Sequence, residues 1–498
     1  MPHPLTKAEA TSWRETSLHA DVMRYVDDLA ARGDRRLHVT SFGASPEGRE
    51  LPLLVLNAHG IRTPEEARRS GLPIVLVICG IHAGEVEGKE ANLMLVRDLL
   101  DHDPDGLLER CVLVVVPLFN PDGNDRIDPA NRALNVAKFE GQIGPPGGVG
   151  TRVNASGINL NRDYMRQDAV EMRLLQSRVC RPWRPHLTID CHATNGSVHR
   201  FQLTYDVPHT IEAGRVEPIL FMRESLLPAV TAAVKRNAGF DTSWYGNFVE
   251  DEGGSGRGWM TYTHHPRFGS NYRGLTNRLD VLLEAFSYQA FETRVAVTYA
   301  FVLETLRYAT QHGPEIVDLL ERCVLPPRRI AVRSELLAFD EKIEILTRTP
   351  RQLDGAPTSV WLPHVARFLG TEFVERPYGY ALSPEAALHL ERHGLTVTRL
   401  AADARAELEV ARVEGIGAES SRAILEASAE RALDVSWRRE SRTLRAGTPI
   451  VLTEQPLGAI AVYLCEPRSD DGFVACDTFP EPRAGADFPV ARLLTAIA

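Results

Sequence analysis

The chain has no apolar run long enough to cross a bilayer, no Cys-x-x-Cys pair and no Gly-x-Ser-x-Gly. It therefore lacks the marks of a membrane-spanning protein, a dithiol redox protein or a serine hydrolase of the nucleophile-elbow type. It also lacks an excess of positive charge: 56 Lys and Arg stand against 66 Asp and Glu, for a net charge of -10. That balance argues against nucleic acid or an anionic membrane as the main partner. Cysteine is sparse and odd in number, at seven. Cys79, Cys111 and Cys191 lie in apolar, strand-like runs, where reduced and buried thiols are expected. The opening Met1-Pro2-His3-Pro4-Leu5-Thr6 has neither the basic start nor the apolar core of a signal peptide, so a cytoplasmic location is expected. There is no internal repeat and no low-complexity tract. Gly141–Gly150 is glycine-rich but lacks the lysine of a phosphate loop, and it is expected to form a flexible rim.

What is present is globular: 44% hydrophobic and 24% charged residues over 498 positions, too many for one ordinary core. A helical pattern covers about Ala20–Ala31, and strand patterns follow at Leu37–Phe42 and Leu51–Asn57. Four apolar runs then recur, at Ile74–Cys79, Val112–Pro117, Leu187–Cys191 and Val281–Phe286. They suit strands buried on both faces and alternate with helical patterns such as Ala91–Leu100 and Ala169–Val179. The pattern predicts an α/β fold with a mixed, mostly parallel central sheet flanked by helices. A proline-rich basic joint, Val324-Leu325-Pro326-Pro327-Arg328-Arg329, divides the chain into a catalytic domain over residues 1–325 and a smaller α+β domain over 326–498. In the second part Ser383–His393 reads as helix, and Leu395–Leu400, Thr448–Thr453, Ala459–Cys465 and Phe473–Cys476 as strand-like stretches. No chemistry is legible there, and nothing specifies an oligomeric state.

The chemistry gathers at the ends of the four apolar runs, where open α/β sheets bind their ligands. His82-Ala83-Gly84-Glu85 follows the first run, and a His and a Glu three apart at a strand-to-helix turn can face one ion. Zinc accepts imidazole and carboxylate together, and a catalytic zinc needs a third protein ligand and an open position. His192, at the end of the third run, is the expected third ligand; read alone, it would be a core histidine. His186, His264 and His265 are rivals, the adjacent pair better suited to a loop or a substrate channel. Asp190 is either an orienting partner or a satisfied buried carboxylate. Glu284, an acid inside an apolar strand, is the expected general base; the alternative is a salt bridge to Arg278 or Arg294. In Gly157-Ile158-Asn159-Leu160-Asn161-Arg162-Asp163, Arg162 can grip a carboxylate with two prongs, Asn161 assisting. Asx turns in a surface loop are the plainer fate of such a segment.

His82-x-x-Glu85, Asn120-Pro121-Asp122-Gly123, Asn161-Arg162, His192 and Glu284 stand in the order found in the zinc carboxypeptidases (carboxypeptidase A-like, M14), which the chain resembles over about residues 25–301. The resemblance implies that family's fold, with one zinc per chain held by His82, Glu85 and His192. It implies Glu284 as base and Asn161 and Arg162 as the clamp on a terminal carboxylate. Arg132 is the expected oxyanion stabiliser and Arg126 the second choice. Tyr245, Tyr262 and Tyr272 compete for the substrate-capping role, and Gly253-Gly254-Ser255-Gly256-Arg257 is similar to a specificity loop. The implied activity is zinc-dependent hydrolysis of the C-terminal peptide bond of a peptide, or of a small amide bearing a free carboxylate. Two rivals stand beside it: a deacylase of N-acyl amino acids or cell-wall peptides on the same fold, and a non-enzymatic binding protein, which would be expected to lack a ligand or the base.

Overall fold

The computed structural model describes residues 3–250, 257–416, 433–480 and 483–497. Its centre is an eight-stranded mixed sheet in the order Leu37–Ala44, Glu50–Leu56, Val112–Val116, Ile74–Cys79, Leu187–Thr194, Leu279–Phe286, Leu203–Asp206, Thr242–Trp244. The four strands from Val112–Val116 to Leu279–Phe286 run parallel to one another. The two strands that flank this block pair antiparallel with it, Glu50–Leu56 with Val112–Val116 and Leu203–Asp206 with Leu279–Phe286.

Alternation divides each central strand between two cores. Val75, Val77, Leu113, Val115, Leu187 and Ile189 face one, which is closed by helices His19–Ala30, Glu87–Asp101 and Phe291–Gln311. Ile74, Leu76, Ile78, Val112, Val114 and Val116 face the other. That second core continues without a break into Ile330, Val332, Tyr380, Leu390, Val451, Tyr463 and Phe473. The region after residue 325 thus shares a core with one face of the central sheet and with the residues 169–183 that pack there. Its first strands, Arg329–Thr349 and Ala356–Glu375, form a long antiparallel ribbon. Through His364 and Val365 this ribbon pairs with Arg257–Met260, so residues from both sides of the joint share a sheet. A separate six-stranded sheet with helix Pro384–Arg392 supplies the expected α+β part.

Two readings of that part are corrected. Residues 459–465 lie in a helix, Gly458–Cys465, with every side chain buried. A segment apolar all round has no period to reveal, so a buried helix and a buried strand look alike in sequence. Residues 473–476 form turns and no strand. The expected rim at 141–150 is tied down: Gln142 accepts from Arg132 at 2.8 Å, and the Ile143 and Gly144 carbonyls accept from Arg294. Gly141 has φ +79, and a Cβ there would meet the Ala133 carbonyl oxygen at 2.1 Å, so no side chain fits. Cys79, Cys111 and Cys191 are buried free thiols, as read. Among the described residues no helix is long and apolar enough to cross a membrane.

A chain cut after Leu325 is expected to aggregate and to bind a hydrophobic dye strongly, because the core shared by Tyr164, Met165 and Met172 would lose Tyr380, Leu390, Tyr463 and Phe473. A soluble, monodisperse fragment with weak dye binding in sedimentation and fluorescence assays would show that residues 1–325 close their own core.

Candidate metal centre

Strand Ile74–Cys79 is apolar on both faces and ends at Gly80, whose φ of +70 turns the chain. The Glu85 amide then donates to the His82 carbonyl at 3.0 Å, and the tight turn aims both side chains the same way before helix Glu87–Asp101 begins. The neighbouring strand is longer than the sequence suggested, Leu187–Thr194, so His192 projects from within it. His192 and Glu284 are direct register partners on adjacent parallel strands, which sets both side chains on one face.

His82, Glu85 and His192 come together, all buried. His82 Nδ1 lies 3.1 Å from Glu85 Oε1, His192 Nδ1 lies 3.0 Å from Glu85 Oε2, and the two Nδ1 atoms are 3.2 Å apart. Donor atoms on a tetrahedral zinc with bonds of about 2.1 Å sit about 3.3 Å from one another, so the triangle has the size of one face of such a site. The rings cross at 61°, which lets both Nδ1 lone pairs point to one place. Two nitrogens and a carboxylate packed this closely need a shared proton or a cation between them, and the donor set fits zinc. The far ring nitrogens are held as metal-binding histidines need. His82 Nε2 meets Asn159 Oδ1 at 3.1 Å, and His192 Nε2 lies 3.1 Å from Asp190 Oδ1. Asp190, left open between two roles, performs both, since its other oxygen accepts from the Arg273 guanidinium.

Burial would raise the Glu85 carboxyl, but His82, Arg132 and His192 outweigh it and hold it well below the usual range. Burial drives the His82 ring down to about 3, whereas Asp190 and Glu85 overcome burial and raise His192. Burial pushes Glu284 up to about 8, with the His192 charge opposing and Glu85 reinforcing. Neither salt-bridge alternative for Glu284 forms: Arg294 pairs with Glu87 at 3.3 Å, and Arg278 lines a cavity elsewhere. The Glu284 carboxylate makes no ion pair or hydrogen bond among the described residues.

Arg132 reaches the centre, with Nη1 3.0 Å from Glu85 Oε1. Its other donors go to Gln142, the Ala193 carbonyl and the Ser287 hydroxyl. Arg126 pairs with Glu47 on the surface instead. Two residues the sequence reading did not single out for the centre join it. Asn159 orients His82, and Arg152 Nη1 lies 3.4 Å from Glu85 Oε1. Asn159 belongs to the Asn-rich motif already noted; Arg152 precedes that motif by a few residues and carried no signal of its own.

Asn161 accepts from the Gly269 amide at 2.9 Å, and Arg162 lies with its guanidinium carbon 3.6 Å over the Phe268 ring. Asn120 caps the turn at residues 121–124 by accepting from Gly123. Of the three tyrosines, Tyr272 is buried with its hydroxyl on His393 Nδ1, which removes it from any substrate. Tyr245 and Tyr262 pack edge to face, 5.9 Å apart, and Tyr262 packs against Phe268. Residues 253–256 lie outside the described residues, as does the Arg257 side chain.

His186 accepts from the Ile74 amide and serves the sheet. His264, His265 and Asp470 form a second close set, but its geometry is not that of a metal site. The two rings are stacked at 23°, and Asp470 already accepts from the Tyr463 hydroxyl at 2.6 Å and meets His264 Nε2 at 2.8 Å. Arg267 donates to Asp471 through both its amide and its side chain. The segment that ends in Phe268 is therefore fastened to the far part of the chain.

The family model described as "Zinc carboxypeptidase" matches residues 22–183, a span that holds His82, Glu85, Asn161 and Arg162 and stops short of His192 and Glu284. No curated protein matches the chain. Similar solved structures include a metallo-carboxypeptidase from Burkholderia cenocepacia, 17% identical over 59% of this chain and 68% of that one, with a TM-score of 0.41. Another is a Pseudomonas aeruginosa metallo-carboxypeptidase in complex with (2-guanidinoethylmercapto)succinic acid, 17% identical over 60% and 69%, TM-score 0.41. A third is bovine thrombin-activatable fibrinolysis inhibitor in complex with tick carboxypeptidase inhibitor, 12% identical over 60% and 99%, TM-score 0.42.

Burial would raise the Asp470 carboxyl, yet His264 and Tyr463 hold it far below the ordinary range. A carboxyl depressed by folding stabilises above its unfolded value of about 4, and loses that contribution on acidification. Asp470→Asn is therefore expected to lower the urea midpoint at pH 7, with the gap from wild type narrowing below about pH 4. Asp471→Ala, which strands Arg267, is expected to cost roughly 3–5 kcal/mol. A gap that stays constant across pH would remove the His264–Asp470 pair as its source.

Proposed function

We propose that this chain is a metallocarboxypeptidase that hydrolyses the C-terminal amide bond of peptides, a reading supported by the match of residues 22–183 to the zinc carboxypeptidase model. The observation that carries the reading is the register pairing of His192 with Glu284. That pairing supports the reading because it sets beside His192 a carboxylate that makes no ion pair or hydrogen bond among the described residues. His82, Glu85 and His192 would hold zinc, which when bound would supply Lewis acidity to the scissile carbonyl and to an attacking water. Glu284 takes the proton of that water and passes it to the leaving amine.

The oxyanion has to be met by a guanidinium that stands beside the centre and also opens to solvent. Arg132 spends all its nitrogens on four protein groups. Arg152 reaches the same Glu85 oxygen with 36% of its side chain exposed, against 16% for Arg132. We assign the oxyanion to Arg152, with Arg132 fixing Glu85. Arg162, kept flat by the Phe268 ring, takes the terminal carboxylate in two-pronged fashion with Asn161 beside it.

Glu284→Gln is expected to bind zinc as wild type does, yet to lose about 10³-fold or more in kcat. A variant with most of its activity would end the base assignment. Arg152→Ala is expected to lose roughly 10²–10³-fold in kcat, while Arg132→Ala chiefly weakens zinc retention; the reverse split would return the oxyanion to Arg132. Peptides with free C-termini should be shortened stepwise, and their C-terminal amides left intact, in a mass-spectrometric digest. Equal cleavage of the amides, or activity confined to N-acyl amino acids, would move the reading to a deacylase.

A further inference from the structure

A cavity of about 340 Å³ lies at the amino-terminal ends of the two strands that carry His192 and Glu284. Its wall is contributed by Arg181, Arg184, Thr188, Arg273 and Arg278 from the first part of the chain and by His393 from the second, among others. No aspartate or glutamate is among the lining residues. Two of the four arginines are satisfied elsewhere. Arg273 pairs with Asp190 and Asp280, and Arg181 donates to the carbonyls of Gln176 and Arg392. Arg184 and Arg278 make no ion pair and no side-chain hydrogen bond among the described residues.

Guanidiniums are usually paired where water is scarce, because an uncompensated charge loses its hydration. Here burial and the neighbouring Arg184 charge push Arg278 down to about 10. His186, just before the strand, is lowered to about 4 by burial and by the same two arginines. The cavity thus carries positive charge without a countercharge of its own, with Arg278 half-buried and Arg184 exposed, and it is within the size range of small-molecule pockets. Planar guanidinium forks match the geometry of carboxylate and phosphate oxygens.

We propose that this cavity binds a small oxyanion ligand, a carboxylate- or phosphate-bearing molecule, held by Arg184 and Arg278. The site is separate from the metal centre, though Arg273 links the two: it lines the cavity and donates to Asp190, whose other oxygen faces His192.

The test is calorimetric titration of the full chain with inorganic phosphate, pyrophosphate and citrate, each at ionic strength matched with chloride. Saturable one-to-one binding of at least one anion is expected, weakened tenfold or more in Arg278→Gln and in Arg184→Gln. Arg439→Gln, on an exposed strand elsewhere, should bind as wild type. Binding should persist in chelator-treated protein. No saturable heat with any anion, equal affinity in both cavity variants, or loss of binding on zinc removal would overturn the proposal, the last by assigning the anion to the metal centre. Should Arg278→Gln fail to fold, the exposed Arg184→Gln carries the test. Preference for citrate over the phosphates would mark the ligand as a carboxylate, and the opposite preference as a phosphate ester.

Discussion

Everything in the centre turns on the Glu85 carboxylate. It is buried, it faces two imidazole nitrogens within 3.1 Å, it accepts the Ala193 amide at 3.1 Å, and two guanidiniums reach its Oε1. An isolated carboxylate in such a place would take up a proton; this one stays charged because cationic and N–H groups surround it. The arrangement also explains why His82 and Glu85 need a rigid strand behind them. Their turn is fixed at one end by the strand Ile74–Cys79 and at the other by helix Glu87–Asp101, so the carboxylate cannot withdraw from the histidines.

Glu85 and Glu284 share the face of the sheet, and their environments pull them apart. The first is crowded by positive groups, whereas the second makes no ion pair or hydrogen bond among the described residues, and burial, reinforced by Glu85, raises it. Opposite shifts of two neighbouring carboxylates are what the proposed division into ligand and base requires. The register of strands Leu187–Thr194 and Leu279–Phe286 makes this possible: a slip of one residue would turn either His192 or Glu284 to the opposite face.

Much of this was legible in the sequence because buried parallel strands write themselves as short apolar runs. His82, Glu85, His192 and Glu284 stood out as polar residues at or inside those runs, and the fold class followed from the same runs. What was not legible depends on closure between distant segments. Arg152 and Asn159 approach the centre only once the loop before Leu160–Arg162 folds back. The Asp470–His264 and Asp471–Arg267 contacts join residues more than two hundred positions apart, where no local pattern exists. Helix Gly458–Cys465 failed for a different reason, since complete burial erases the polar face by which a helix is recognised.

The region after residue 325, which showed no chemistry of its own, acquires a role through these contacts. Met165, three residues past Arg162, has its carbonyl held by both His389 and His393, and Tyr272 and Gln167 meet His393 as well. Phe268, under the Arg162 guanidinium, follows the segment fastened by Asp470 and Asp471. The metal ligands and base sit on turns and strands of the central sheet, but the proposed carboxylate clamp rests on elements held from the far side of the joint. Loosening those contacts would therefore disturb the grip on the substrate's terminus before it disturbed the metal. On the proposed function, the second part of the chain would act as a support for the substrate site, through the contacts it makes with Met165 and with the segment before Phe268.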